Sequence, residues 1–231
     1  MNKKIKLKNY TPILIIFLLI SIFINIYSYL NINKYKYKLG KESQINIEDI
    51  RQRNESNMNI LNVSIGQGCI KNEDLLKLYK NYDIITSEII ELWGQYASYK
   101  DNTLSIFSKN IDDKKVLEND VYLRIKDYLS IILNQTMKSK DIGLTLSSGY
   151  LENFETMSEL TKKVNSYFEE FNSQKLLNVT GEQREKEIIK NHYWIDMLEG
   201  IYNINNDYTN IEFNVDESKN VNNIEIMNEK K

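Results

Sequence analysis

Cysteine and histidine are almost absent from this chain of 231 residues, which contains one of each. A single cysteine, Cys69, excludes an internal disulfide, so an exported domain would depend on its hydrophobic core alone. Cys69 also lies far beyond the apolar N-terminal run, which argues against a lipid-modified cysteine. His192 and Asp196 are one helical turn apart, but two ligands do not complete a tetrahedral zinc site. We therefore predict no metal site and no cofactor.

Proline, alanine and arginine are also scarce. Proline occurs only at Pro12, alanine occurs only at Ala97, and four arginines stand against a large excess of lysine. Asparagine, isoleucine, lysine and tyrosine are abundant instead. This residue usage is what AT-rich codons produce, and it is typical of low-GC bacteria such as clostridia.

Neither charge sign is in excess. The chain has 30 Lys and Arg residues against 32 Asp and Glu residues, for a formal net charge of -2. A strongly basic surface that would select nucleic acid is therefore excluded, and we predict no nucleic-acid partner. The two signs are interspersed, which is typical of the solvated faces of helices.

Motifs of known enzyme classes are missing as well. The surroundings of His192 contain no G-x-S-x-G nucleophile elbow, and GQGC at 66–69 lacks the Lys and Ser/Thr of a phosphate-binding loop. Acid pairs such as Asp112 with Asp113 fall on predicted solvent faces or helix starts. A glycosidase would need two carboxylates facing each other across a cleft. We predict that the protein is not an enzyme.

Residues 11–30 form the one long apolar segment, after a short basic tail at 1–10. Twenty residues suffice to cross a bilayer as a helix. The bulky residues that end the run do not suit signal-peptide cleavage. We predict an uncleaved transmembrane anchor; a cleaved signal peptide and a buried core helix are the alternatives. The apolar side chains assigned to the anchor are Ile13, Leu14, Ile15, Ile16, Phe17, Leu18, Leu19, Ile20, Ile22, Phe23 and Ile24.

Lysines flank both ends of the predicted anchor, so charge counting barely separates the two orientations. Four lysines precede it, and Lys34, Lys36, Lys38 and Lys41 follow it. Short basic tails usually stay in the cytoplasm, and long domains are translocated regardless of charge. We therefore predict a single-pass protein of the cell membrane that contacts lipid through its anchor. Its N-terminus is predicted to be cytoplasmic and its main domain extracytoplasmic.

Two polar segments flank the predicted domain. Residues 31–69 are polar with isolated apolar positions, and Ile45, Ile47 and Ile50 allow one or two helical turns. We predict a partly helical juxtamembrane stalk there. Residues 205–231 are rich in asparagine and charge, and we predict a disordered tail.

Helical periodicity dominates residues 70–204, where we predict the helical bundle domain. After the first helix of this domain, three more are predicted. One begins near Asp112 or Asp113, one runs over about 148–177, and one begins at Thr180 with a capping box. Together, these helices predict an all-α fold, with an N-terminal single transmembrane helix plus an up-down bundle of about four amphipathic helices. A dimeric coiled coil along the first seam is the alternative. That seam recurs every three or four residues, at Leu75, Leu78, Tyr82, Ile85, Ile89, Leu92, Tyr96 and Tyr99.

The aromatic residues Trp93, Tyr96, Tyr99 and Trp194 are the candidate partner-binding positions. Core filling is the alternative interpretation, because the chain has a single alanine. The predicted function is a non-enzymatic membrane-anchored helical domain that binds a protein partner, or self-associates, at the bacterial cell envelope. A small-molecule-sensing helical module acting through a partner is the second hypothesis. An envelope hydrolase using carboxylates is the third.

Overall fold

The computed structural model describes residues 10–101, 120–139 and 142–214. The all-helical prediction is confirmed, and so is the helix expected over about 148–177. The sequence predicts one transmembrane helix and about four bundle helices, whereas the described ranges contain six helices in all. The predicted helix start near Asp112 lies outside the described ranges. In chain order the elements are α1 (Thr11–Gln67), β1 (Cys69–Lys71), α2 (Asn72–Asp101), α3 (Val121–Ser139), β2 (Gly143–Thr145), α4 (Ser148–Lys175), α5 (Gly181–Lys190) and α6 (Tyr193–Asn206).

One unbroken helix, α1, joins the apolar N-terminal run to the rest of the chain. It has 57 residues, and at 1.5 Å per residue it is about 85 Å long. Pro12 lies in its first turn, where the missing N–H has no helical partner to lose. The helix ends at Gly68, which adopts a left-handed φ of 67° and donates its N–H to the Ile65 carbonyl at 3.1 Å.

The second half of α1 is a core helix of the bundle. Leu39 is the first buried residue, and Ile50 and Leu61 are at most 1% exposed. The predicted stalk at 31–69 is therefore corrected, because the bundle begins inside α1 and not at residue 70. Pattern counting missed this helix because several of its buried side chains are polar and read as solvent-facing. These buried polar residues are Ser43, Asn54, Asn57 and Ser64.

Helix α2 runs antiparallel to the buried half of α1. Ser43 donates a hydrogen bond to Gln95 Oε1 at 2.6 Å, close to the apolar run, and we call this the near end of the bundle. Asn81 donates to Asn57 Oδ1 at 2.8 Å, toward the opposite or far end. The predicted seam of α2 faces the core, because five of its members are completely buried. These are Leu75, Leu78, Tyr82, Ile85 and Leu92.

Helices α3 and α6 pack against successive levels of α2. Tyr202 of α6 meets Trp93 edge-on, with ring centroids 5.7 Å apart, near the end of α2. Tyr122 of α3 packs against Tyr82 at 6.1 Å, farther toward the far end. Arg124 of α3 donates hydrogen bonds to two backbone carbonyls in the segment after α6. The two shorter helices thus share one side of α2.

The predicted fourth helix is divided into α5 and α6. His192 adopts a left-handed φ of 56° between the two helices. The break allows α5 to pack beside α1, where Lys41 Nζ lies 3.3 Å from a Glu185 carboxylate oxygen. It also directs α6 toward α4 and α2. The predicted capping box is not formed, because the Thr180 side chain makes no cap hydrogen bond.

Two three-residue strands close the far end of the bundle. They pair antiparallel, with Ile70 opposite Leu144 and Lys71 opposite Gly143. A Cβ at position 143 would overlap the Ile70 carbonyl oxygen. Glycine is therefore needed at this position because the two backbones approach too closely for a side chain.

The Gly143→Ala variant should separate this strand pair and lower the free energy of unfolding by about 1–3 kcal/mol, as overpacking does elsewhere. Urea unfolding followed by circular dichroism measures the loss. Gly94→Ala is the matched control, because a Cβ at the exposed helical position 94 would meet no atom within 4 Å. The free energy of unfolding of this control should rise by up to about 1 kcal/mol, because alanine has a higher helix propensity than glycine. Equal effects of both substitutions would contradict the strand geometry.

The segment after α6 packs against the bundle as far as the structure describes it, to residue 214. Tyr208 is 3% exposed, and the Phe213 ring lies 5.8 Å from the Tyr128 ring. The predicted disordered tail at 205–231 is therefore corrected over its first ten residues. The remainder of that tail lies outside the described residues.

Candidate functional site

The apolar end of α1 is exposed at every position from 12 to 30. The eleven side chains assigned to the anchor are between 45% and 70% exposed. Water-soluble surfaces rarely carry a contiguous apolar patch of more than a few hundred Å². By length and composition, α1 could cross a membrane, and it is the one helix in the described part of the chain that could.

A short neck, residues 31–38, separates this apolar end from the bundle. Leu39, the first buried residue, is nine positions beyond Leu30, or about 14 Å along the helix. The neck already touches the bundle at Lys36, whose Nζ lies 5.3 Å from the centre of the Tyr99 ring. The base of the bundle therefore lies within two to three helical turns of the apolar end.

The four candidate partner-binding aromatics lie together at the near end, inside the bundle. Trp194 is completely buried and Tyr96 is 5% exposed, while Trp93 and Tyr99 are half-buried. Tyr99 meets Trp194 edge-on at 6.0 Å, and Trp93 meets Tyr96 edge-on at 5.7 Å. Trp194 and Tyr96 therefore fill the core and cannot reach a partner while the bundle is folded. The sequence showed these aromatics but could not show their burial.

His192 belongs to the same cluster. Its ring centroid lies 4.9 Å from that of Tyr99. Burial lowers the pKa of His192, and the nearby positive charge of Lys36 lowers it further. The imidazole is thus neutral at pH 7 and packs as an aromatic ring. Among the described residues, no group of three His, Cys, Asp or Glu side chains could hold a metal ion.

A carboxyl pair that the sequence did not reveal lies between α1 and α2. Asp49 accepts a hydrogen bond from Arg53 Nε at 2.9 Å and faces Glu88. Burial raises the pKa of Glu88 to about 8; the hydrogen bond and charge of Asp49 also raise it, and Arg53 opposes the shift. This shift favours the protonated form of Glu88 at pH 7, in which its carboxyl can donate a hydrogen bond to Asp49. Only the register between two helices brings these acids together, so no local motif could have found them.

The Glu88→Gln variant should be more stable than the wild type at pH 8 and similar to it at pH 5. The folded protein keeps a proton that the unfolded chain releases above pH 4.5, so wild-type stability falls as pH rises from about 4.5 to about 8. Partial solvent exposure limits the difference to about 1 kcal/mol. Urea unfolding at both pH values measures it. Glu152→Gln, on the exposed face of α4, is the control and should show no such pH-dependent difference.

A cleft of about 300 Å³ lies between α1 and α4 toward the far end. Hydrogen bonds from Lys163 and Tyr208 lower the pKa of Glu159, one of its carboxylates. The general acid of a glycosidase needs a raised pKa, so Glu159 does not suit that role. The lining residues are Asn62, Ile65, Glu155, Ser158, Glu159 and Lys162.

Exposed apolar side chains occur at the far end. We call Leu76, Met137 and Ile142 the far-end apolar group; they are 38%, 66% and 88% exposed. The Asn72 N–H donates to the Ile142 carbonyl at 3.2 Å, which places the loop beside the start of α2. This group could not be predicted from the sequence, because its members belong to different elements and follow no common period.

Comparison with known proteins adds no relative. No protein-family model, no curated protein and no solved structure matches the chain.

Proposed function

We propose that this protein is a single-pass membrane protein whose first helix is both the anchor and a core helix of the bundle. The observation that supports the proposal most is the continuity of α1, which passes from exposed apolar residues to buried ones without a break. The bundle is then held close to the bilayer as a rigid extension of the anchor. We further propose that it stands outside the cytoplasm, at the bacterial cell envelope.

The role we propose for the bundle is non-enzymatic binding of a protein partner through the far-end apolar group. Ile142 and Met137 are among its most exposed apolar side chains. The buried core of an interface is more apolar than the rest of a protein surface, and methionine is enriched there. A partner bound at the far end would lie about 50 Å from the bilayer surface, since α1 continues for 37 residues after Leu30.

Alkaline carbonate extraction of bacterial membranes tests the anchor. The full chain should stay in the membrane fraction and keep its intact mass of 27.3 kDa. Release into the supernatant, or a smaller mass from which residues 1–30 are missing, would contradict an uncleaved anchor.

Labelling the exposed thiol of Cys69 in intact cells with a membrane-impermeant maleimide tests the orientation. Labelling is expected if the bundle is extracytoplasmic.

Photo-crosslinking in intact cells tests the partner. A photoreactive amino acid at Ile142 should give one discrete protein adduct, and Met137→Glu in the same chain should abolish it. The same amino acid at Gln52, an exposed position in the middle of α1, is the control and should give no adduct. Identical adducts at both positions would contradict binding at the far end.

The cleft between α1 and α4 supports a second candidate, a small-molecule sensor that acts through a partner. Its volume of about 300 Å³ is at the lower limit for ligand sites. A ligand bound there raises the melting temperature by an amount that grows with the logarithm of its concentration above the dissociation constant. A small-molecule screen by thermal shift, repeated with Glu155→Trp to fill the cleft from its exposed rim, separates this candidate from the first.

A further inference from the structure

Lysines are concentrated in the first 41 residues of the sequence. Residues 1–41 contain eight lysines and no acid, and Glu42 is the first acidic residue. Four of these lysines lie in the described part of α1, and we call them the neck lysines: Lys34, Lys36 and Lys38 in the neck itself and Lys41 three residues beyond it. The chain as a whole carries nearly balanced charge, so this local excess is not a consequence of composition.

The helix places these lysines around the neck at a definite height. Lys34, Lys38 and Lys41 follow an i, i+4, i+7 spacing and share one face, while Lys36 lies on another. Lys34 and Lys36 are about 6 and 9 Å beyond Leu30. The headgroup layer on each side of a bilayer is about 5–8 Å thick. If residues 11–30 span the membrane, these ammonium groups lie at the level of the lipid phosphates. The long lysine side chains can also extend along the helix toward the phosphates by snorkelling.

Their contacts within the protein are weak ones. The Lys38 side chain is 76% exposed and its Nζ lies 3.7 Å from a Glu42 oxygen; in the Lys41–Glu185 pair the side chains are 52% and 31% exposed. Exposed ion pairs of this kind contribute about 0–1 kcal/mol. The lysines are therefore able to exchange these contacts for lipid phosphates.

Tyrosines border the same level on both sides. Tyr27 and Tyr29 precede the lysines, Tyr35 and Tyr37 alternate with them, and all four are at least 43% exposed. Tyrosine is enriched where hydrocarbon meets headgroups, because its ring is apolar and its hydroxyl is polar. The combination of exposed aromatic rings and weakly paired lysines fits a lipid surface better than a protein groove.

We propose that the neck lysines bind the phosphates of an anionic leaflet, so that the base of the bundle rests on negatively charged headgroups. This inference rests on the proposed membrane anchor. It adds a lipid class to that proposal: the surrounding leaflet is enriched in anionic phospholipid, which the tyrosines and lysines hold against the neck.

Native mass spectrometry of the full chain, released from bilayer discs of 70% phosphatidylcholine and 30% phosphatidylglycerol, tests the inference. The wild type should retain phosphatidylglycerol several-fold above its share of the disc. A variant with all four neck lysines changed to glutamine should retain it at its bulk share. The control changes four exposed lysines of the bundle to glutamine, at positions 71, 80, 138 and 162, and should behave as the wild type.

Unchanged enrichment in the neck variant, or none in the wild type, would overturn the lipid assignment alone. Carbonate extraction from neutral phosphatidylcholine vesicles is the separate check on the anchor. A chain that resists extraction there but shows no lipid preference remains a membrane protein without an anionic-lipid site. A chain that is extracted from neutral vesicles overturns the anchor and the lipid assignment together.

Discussion

Replacing Trp194 with alanine should lower the free energy of unfolding by about 3–5 kcal/mol, the cost found for buried tryptophan and phenylalanine elsewhere. The side chain is completely buried between elements that are distant in sequence. Tyr99 of α2 meets it edge-on at 6.0 Å, and a Cβ at Gly40 of α1 would lie 3.7 Å from its indole nitrogen. Its removal leaves a cavity where three helices converge. Urea unfolding of the full chain in mild detergent, followed by circular dichroism, measures the loss.

Trp93→Ala is the matched control for this substitution. Trp93 is half-buried at the same end of the bundle, so less apolar surface is lost and the loss of stability should be clearly smaller. Equal losses for the two variants would show that Trp194 is not the core residue described here. They would also restore it as a candidate for contact with a partner.

A flexible insertion in the neck should uncouple the bundle from the apolar end of α1 without destabilising it. Six glycine and serine residues inserted between Asn33 and Lys34 interrupt the helix where it makes almost no tertiary contact. Such a linker adds a spread of about 13 Å to the end-to-end distance. The distribution of distances between a label on Cys69 and labelled lipid should broaden accordingly, while the urea unfolding midpoint stays constant.

A helical insertion is the control for the flexible one. Seven residues with high helix propensity at the same position add about two turns, or 10 Å, without interrupting the helix. The distance of the Cys69 label from the bilayer should then increase while its distribution stays narrow. Broadening by both insertions, or by neither, would contradict a rigid neck.

The sequence predicted those helices that bury an apolar stripe. The seam of α2 and the apolar face of α4 were correct because leucine, isoleucine and aromatic residues recur there at helical spacing. The buried half of α1 escaped the same reasoning. Asn54 and Asn57 occupy core positions on α1, and Asn54 Nδ2 donates to the Thr161 carbonyl at 2.9 Å. Partners so distant in sequence leave no local signature.

The candidate site was predictable only in part for similar reasons. Residue type identified the apolar run, because few structures other than a membrane span use so many consecutive apolar residues. Residue type could not separate a buried tryptophan at 194 from an exposed one, since burial depends on how α5 and α6 diverge at His192. The Glu88 and Asp49 pair and the far-end apolar group depend on helix register and loop position. Both arise only from the packed structure.

The height of Cys69 above the bilayer tests the central claim most directly. Cys69 is the single cysteine, it is exposed, and it lies two residues beyond the end of α1. If α1 is one rigid helix shared by membrane and bundle, a label there should give a narrow distance distribution near 50 Å from the bilayer surface, allowing for a tilt of about 20°. A label within about 20 Å of the surface, or a broad distribution, would contradict the shared helix.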